Sequence, residues 1–464
     1  MSAIKTVCSR CAMGCGVRAM VGSERKMHVE GDRIHPANMG WLCPAGKALA
    51  EAGDLDGRLL HPRLNGLPIG YDRAIVHAAK RLADIVTRHG AESVALHVAG
   101  DLPTEDYFVA NKLMKGFIGS ANIDTPWQET AGQAHAAAFG EDVMPASVED
   151  IDRADLILVI GASALLRHPL LRRRVDSARE ERGAQLLVID SDPEASSLSA
   201  NLHLRPAPGS IATLLGGLLL SLYEADLLDR PFLAEHVAVP AGYWNALRPG
   251  HDLWSVARAT NMSIDAIRIF QERVAKASRM VTLFDPDVGD GFTREAGAIV
   301  ALHLATGRVG GPGAAPLALP GAPNAMGARE AGCTASVLAA HRDFSDEARA
   351  AIGRFWSTDR LATGAGLTGV ALREAIAAGR IKALLMLGDG PDSLLDALPG
   401  NRPFTLFAGE RLDWGMSDRV DLALPMPDAL ERNGTLTNAD RLISRQRPVF
   451  APPGEARPAW WIMT

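Results

Sequence analysis

The sequence predicts an α/β protein in which a small, cysteine-bearing N-terminal module precedes two doubly wound, largely parallel α/β domains. Three observations carry this. At 464 residues the chain is too long for one compact core, and ordinary domain sizes suggest about two to four. Its middle alternates DLILVIGA, HPLLRRRVDSAREERG, AQLLVID and SIATLLGGLLLSLYEA, which is strand, helix, strand, helix with turn residues between them. Finally, VCSRCAMGCG places three of the chain's five cysteines in ten residues.

Residues 1–57 are rich in Gly and Cys, with short β-prone runs GVRAMVG and KMHVEGDRI. They read as a small irregular metal-binding module with little core of its own. From residue 71 the pattern changes. YDRAIVHAAKRLADIVTRHG has apolar residues at helical spacing and ends in Gly, SVALHVAG is a short buried strand, and TEDYFVANKLMKGFIG is a second helix. Further strands are expected at MVTLF, KALLMLG, FTLFAG and DLALPM, with helices at AGAIVALHLATG and GVALREAIAAG. GRVGGPGAAPLALPGAPNAMGARE reads as a long irregular stretch, of a length seldom seen unless it lines a site or an interface. The expected division is 1–57, completed by about 415–464; 58–130 with about 332–414; and 131–331.

Apolar residues make up 47%, charged residues 22%, and the net charge is −6 with no basic tract, so nothing points to nucleic acid. No apolar run reaches the length of a membrane span. The N-terminus MSAIKTVCSRC carries neither a secretory signal nor a twin-arginine tract, so a cytoplasmic location is expected. In a reducing cytosol, clustered cysteines read as metal ligands.

Cys8, Cys11 and Cys15 are followed after 27 residues by Cys43. Four thiolates suffice for a [4Fe–4S] cube, and Gly14, Gly16 and Gly46 beside them let backbone amides approach its sulfides. A structural zinc site with four cysteine ligands is the alternative, although a second CxxC knuckle is missing. Cys333 reads as an ordinary thiol. His35, His61 and His168, each preceding Pro, read as hydrogen-bonding turn residues. Ser163 is not in a nucleophile elbow, and GDGP at 388–391 lacks the lysine of a phosphate loop.

The segments CSRCAMGCGV, HPANMGWLCPAGKALAEAGDLDGRLLHPRLNG, TEDYFVANKLMKGFIGSANIDT, HLATGRVGGPG, GAPNAMGARE and ERNGTLTNADRLISRQRPVFAPPGEARPAWWI carry a resemblance. Through them the chain resembles the catalytic subunits of the molybdopterin (bis-guanine dinucleotide) oxidoreductases, and within these the assimilatory nitrate reductases. The resemblance implies a molybdopterin oxidoreductase-like fold. It also implies a [4Fe–4S] cluster on Cys8, Cys11, Cys15 and Cys43, and molybdenum held by two pterin dinucleotides (bis-MGD).

The chain departs from that pattern in a consistent place. Nitrate reductases of this type have a molybdenum-ligating Cys shortly after the segment matching NIDT; here NIDTPWQETAGQ has none. Glu129 and Thr130 are the nearest candidates to replace it, and they read more simply as a turn entering a helix. Ala45 stands where a relay Lys is common, and Lys47 is not expected to take over that role. The family's Asp-Pro-Arg-Arg-Thr becomes Asp190, Ser191, Asp192, Pro193 and Glu194, which reverses the local charge beside a polyanion. Its Pro-Gly-Thr-Asp becomes Pro208, Gly209, Ser210 and Ile211, and FDPDVGDGFT and LGDGPDS are altered too. Gly161, Asp190 and Gly209 are therefore expected as vestigial dinucleotide contacts. The resembling family continues beyond PAWWI into a β-barrel domain, which this sequence does not contain.

The sequence thus favours a [4Fe–4S] redox protein that transfers electrons, with its molybdenum chemistry doubtful. Its partner would be an electron-donor protein or reductase subunit. The alternatives are an active molybdenum nitrate reductase with an unusual metal ligand, acting on nitrate or a similar small oxyanion, and a non-catalytic scaffold subunit.

Overall fold

The computed structural model describes residues 3–23, 25–127, 130–285, 292–388, 392–412 and 414–464. They form two units, Met1–Trp127 with Ala322–Thr464, and Gln128–Gly321. The crossings therefore fall at 127/128 and 321/322, where the sequence suggested 130/131 and 331/332. Residues 322–331 join the first unit because Ala322, Ala325, Ala328 and Ala331 are buried in its core.

The first unit opens with a three-stranded antiparallel sheet, Ile4–Val7, Gly16–Val21 and Met27–Gly31, in that order. Its main sheet has seven strands in the order Leu67–Pro68, Arg63–Leu64, Leu422–Pro425, Phe404–Gly409, Ala383–Leu387, Val94–Val98 and Ile123–Asp124. The last five run parallel and the first two are antiparallel additions at one edge. Every residue of Val94–Val98, Ala383–Leu387 and Phe404–Gly409 is buried, as strands covered on both faces must be. The helix Tyr71–His89 packs Tyr71, Ala74, Ala78 and Ile85 on the sheet and stops at Gly90, whose φ is 81°. Aliphatic and aromatic side chains at that period supply the driving force.

The predicted helix TEDYFVANKLMKGFIG is α-helical over Thr104–Asn111 and a π-helix over Lys112–Ile118. The wider winding accompanies a fully buried Lys115. Its Nζ donates to the carbonyls of Gly332 (2.6 Å), Thr334 (2.7 Å) and Val337, which satisfies an otherwise costly charge.

The second unit has five parallel strands in the order Leu202–Leu204, Gln185–Ile189, Leu156–Ile160, Met280–Phe284 and Ala315–Ala318. Its helices include Pro169–Arg182, Ile211–Glu224 and Phe292–Ala305. Here the expectation of an irregular stretch at 307–330 needs correction. It contains the buried edge strand Ala315–Ala318 and the helix Ala325–Ala331. The prolines concealed the strand: Pro316 has no N–H for a ladder, and an edge position tolerates that.

Candidate functional site: a four-thiol centre

The cysteines are gathered by hairpin register and one helix cap. Val7 pairs with Gly16 across the first two strands, so the chain leaves and re-enters the sheet at Cys8 and Cys15. The Cys8 N–H donates to the Cys15 carbonyl at 2.8 Å. Cys11 lies in the loop between them, where Gly14 turns the backbone at φ 57° and donates to the Cys11 carbonyl at 3.4 Å. Cys43 caps the short helix Pro44–Lys47, and its Sγ accepts the Gly46 N–H at 3.4 Å. Ala45 and Lys47 on that helix are exposed.

None of the four is in a disulfide; Cys8 and Cys15 are buried, Cys11 and Cys43 half-buried. Burial pushes the thiols up, Cys8 to about 12 and Cys11 to about 11, with Cys15 higher still. Mutual repulsion adds to this, since Cys8 and Cys15 each feel Cys11 and Cys43, and Cys11 feels Cys43. Such sulfurs become thiolates only when a strongly bound cationic centre offsets both desolvation and repulsion. The donor set is soft and wholly sulfur, which suits iron–sulfur or zinc.

Space around the loop is restricted. A Cβ on Gly16 would lie 2.4 Å from Cβ and Cγ of His35, and one on Gly14 would lie 3.0 Å from Cβ of Asn438. Gly16→Ala is expected to lower stability by about 1–3 kcal/mol, the usual cost of overpacking, measured as a shift in the urea midpoint. An unchanged midpoint would mean that His35 moves aside freely.

The C-terminal segment braces the same loop. The strands Gly434–Thr437 and Ile443–Gln446 form a hairpin. From it Ala439 N–H donates to Ala12 O at 2.8 Å and Asn438 Nδ2 to Met13 O at 3.2 Å. Thr6 Oγ1 exchanges two 3.0 Å bonds with the backbone of Arg447. The proline-adjacent histidines are engaged as expected: His35 Nε2 with Ser444 Oγ (3.0 Å), His61 Nδ1 with Glu455 (2.9 Å) and His168 Nδ1 with the Ala164 carbonyl (2.8 Å).

Beside Ser9 and Arg10 lies a cavity of about 310 Å³, also lined by Leu49, Asp101, Glu410 and Asp428. Two buried arginines hold its wall. Arg58 reaches Asp428 and Glu431, both at 2.8 Å, and Arg432 reaches Asp101 at 2.8 Å and Glu410 at 3.0 Å. Sequence reading missed this network. Its only signal was acidic residues placed directly after apolar strands, as in AGD at 99–101 and AGE at 408–410.

Asp106, near Arg432, is buried and accepts the Trp460 N–H at 2.8 Å. Burial raises its carboxyl to about 6, against the lowering effects of that N–H and Arg432. A pKa raised on folding contributes stability below about pH 4 that is lost as pH rises through 6, about 3 kcal/mol in all. Asp106→Asn keeps an acceptor without the charge. It is expected to abolish this part of the pH dependence between 4 and 7 in urea titrations, and an unaltered profile would refute the assignment.

In the second unit two of the three expected contact residues, Gly161 and Asp190, lie at the ends of adjacent strands. Gly161 (φ 79°) follows Leu156–Ile160 and donates to the Ile189 carbonyl at 3.1 Å. Asp190 follows Gln185–Ile189, and its carboxylate accepts the N–H groups of Ala162 (2.5 Å) and Asp192 (2.8 Å). Gly209 (φ 73°) is exposed two residues before the helix Ile211–Glu224, with open space where a Cβ would sit. Asp285, fully buried, accepts Ser163 Oγ at 2.7 Å and is paired with Arg167. Glu129, residues 286–291 and residues 389–391 lie outside the described residues; Thr130 opens the helix Thr130–Phe139.

A cysteine-bearing N-terminal module followed by doubly wound α/β units defines the class of architecture, and comparison with known proteins makes it specific. The family model described as "Molybdopterin oxidoreductase" matches residues 67–464, and "Molybdopterin oxidoreductase Fe4S4 domain" matches residues 1–53. The chain belongs to the molybdopterin oxidoreductase family. It is 37% identical to a nitrate reductase of Klebsiella oxytoca over 100% of this chain and 54% of that protein. Against a nitrate reductase of Shewanella frigidimarina the identity is 34%, over 100% of this chain and 52% of that protein. It thus spans about half the length of these curated relatives. Among solved structures, acetylene hydratase from Pelobacter acetylenicus superposes with TM-score 0.73 at 18% identity, covering 99% of this chain and 68% of that one, a likeness of fold. Among the described residues no helix is long and apolar enough to cross a membrane.

Proposed function

We propose that this chain is a [4Fe–4S] redox protein that transfers electrons through a cluster held by Cys8, Cys11, Cys15 and Cys43, in a pterin-enzyme scaffold that has drifted from molybdenum chemistry. The single observation that carries this is the convergence of four thiols, from a hairpin loop and a helix cap, within electrostatic reach of one another. The match of residues 1–53 to an Fe4S4 domain model favours a cube over a four-cysteine zinc site. When bound, the cube supplies a reversible one-electron site. The protein's share is to orient the thiolates, to donate the Gly46 N–H to Cys43 Sγ, and to limit water through the packing of Met13, Gly14 and Gly16.

The pterin side fits less well. The chain's remaining cysteine, Cys333, is fully buried in the core of the first unit. A pyrophosphate at the strand ends of the second unit would meet Asp190 and Asp192, with Arg167 already paired to the buried Asp285. Arg205, after Leu202–Leu204, is an exposed cation there. A cytoplasmic, reducing setting and an electron-donor protein or reductase subunit complete the reading.

A second reading, an active molybdenum nitrate reductase with an oxygen ligand, is favoured by the nitrate reductases matched along the whole chain. Metal and pterin analysis of anaerobically purified protein separates the two. About four irons per chain without molybdenum or pterin supports the carrier. Stoichiometric molybdenum, with nitrate-dependent oxidation of reduced viologen, supports the enzyme and overturns the carrier.

A further inference from the structure

We infer that the slot between the helix Tyr71–His89 and the π-helix Lys112–Ile118 is a binding site for a medium-chain aliphatic carboxylate, with the alkyl tail in the slot and the carboxylate on Arg360. This goes beyond the redox reading and does not depend on it.

The slot is a cavity of about 440 Å³ within the first unit, a size that suits one small ligand. One wall is a stripe of the helix Tyr71–His89 that includes Ala78, Ala79, Leu82, Ala83 and Val86, a spacing that keeps them on one face. The alanines among them leave the space open, where larger side chains would fill it. The floor is the parallel sheet, through Leu96, Leu385, Leu387 and Leu406. Met114, Phe117 and Ile118 of the π-helix form the opposite wall, and Met463 adds to the lining. Empty space among such side chains forfeits their dispersion contacts, and an alkyl chain restores them. The slot is also narrow: Leu96 is 1% exposed, Leu387 2% and Met114 0%. A docked helix needs a broad open strip, whereas one hydrocarbon chain threads between side chains that are already almost closed over.

Arg360 sets the polar end. It is the charged side chain of the lining among the described residues. It is exposed and makes no ion pair among those residues. The backbone beneath it is pinned to the π-helix. Arg360 N–H donates to Thr358 Oγ1 at 3.2 Å, that hydroxyl donates to the Gly116 carbonyl, and Ala362 N–H donates to Lys115 O at 2.8 Å. A guanidinium held in this way offers a planar fork of donors, which a carboxylate meets with two parallel hydrogen bonds. An apolar slot with one unpaired cation at its rim therefore selects a ligand with an apolar tail and one anionic head.

The test titrates decanoate into the full chain by calorimetry. One site per chain is expected, with a dissociation constant of about 10–100 µM. The neutral 1-decanol has the same tail and should bind at least about tenfold more weakly. Ala83→Leu, at an exposed position of the slot wall, should weaken both ligands at least about tenfold by filling the space. Arg360→Ala should bring decanoate to the affinity of the alcohol and leave the alcohol unchanged, which also reports that the slot is intact. In methyl-labelled protein, decanoate should shift the ε-methyl resonances of Met114 and Met463. A dissociation constant above about 1 mM, binding indifferent to both substitutions, or shifts confined to other methionines overturns the site. So does a slot that serves as a self-association contact, seen as a dimer that Ala83→Leu dissociates. Decanoate and decanol binding equally well, with Arg360→Ala silent, overturns the carboxylate assignment and with it the proposal. Iron content should be equal in parent and variants, so failure of the cluster reading is detected separately.

Discussion

Replacing Cys11 or Cys43 by serine, one at a time, is expected to drop the iron of anaerobically purified protein from about four per chain to below about one. The broad visible absorption should go with it. A serine hydroxyl is a hard, poorly acidic donor where a soft thiolate is needed, and three corners do not hold a cube against solvent as four do. These two positions are chosen because both are half-buried, so the apo variants should remain folded. Far-ultraviolet circular dichroism should be within error of the parent. Cys333→Ser is the control: it lies in the core of the first unit, and iron should be unaffected even if stability falls. Full iron retention in Cys11→Ser or Cys43→Ser would remove that residue from the ligand set. Equal loss in Cys333→Ser would show that folding, not ligation, governs the metal.

The second large effect is expected at Arg432. Its side chain is 4% exposed; it donates to Asp101 Oδ2 (2.8 Å), Asp101 O (3.0 Å), Glu410 Oε1 (3.0 Å) and the Pro427 carbonyl (3.0 Å). Removing one partner of a buried ion network leaves uncompensated charge, at about 3–5 kcal/mol. Arg432→Met should therefore lower the urea midpoint by that equivalent at pH 7. Arg432→Lys, which keeps the charge but not the fork, should fall between variant and parent. Arg432 also lowers the Asp106 carboxyl, so in Arg432→Met that group should titrate above 6 and extend the pH-dependent loss of stability to higher pH. A midpoint within about 1 kcal/mol of the parent would mean that water replaces the guanidinium, and the network would then be peripheral to stability.

The α/β class, the strand order of events along the chain and the cysteine set were legible because each rests on local pattern. Val94–Val98 and Ala383–Leu387 are unbroken apolar runs, and Tyr71–His89 has its apolar residues at one period and a glycine stop. The segment 307–330 was misread because proline and glycine report what the backbone cannot do locally. Whether Pro316 sits in a strand depends on which neighbour needs its N–H, and at a sheet edge none does. The π-helical Lys112–Ile118 was hidden for a related reason: its side-chain pattern reads as ordinary helix, while the partners of Lys115 lie more than 200 residues away.

By itself the sequence determined which atoms are available: four clustered thiols with small neighbours, a basic leading module, and carboxylates where the resembling family places arginines. Such inventory is a property of composition and spacing, and no folding is needed to read it. Only the tertiary structure decided what those atoms meet. It paired Val7 with Gly16 so that Cys8 and Cys15 stand together, engaged Asp190 with the Ala162 N–H, and turned Ile34, Met39 and Trp41 outward. Register, burial and charge pairing are set by contacts between distant segments, whose energies appear only when the chain closes on itself.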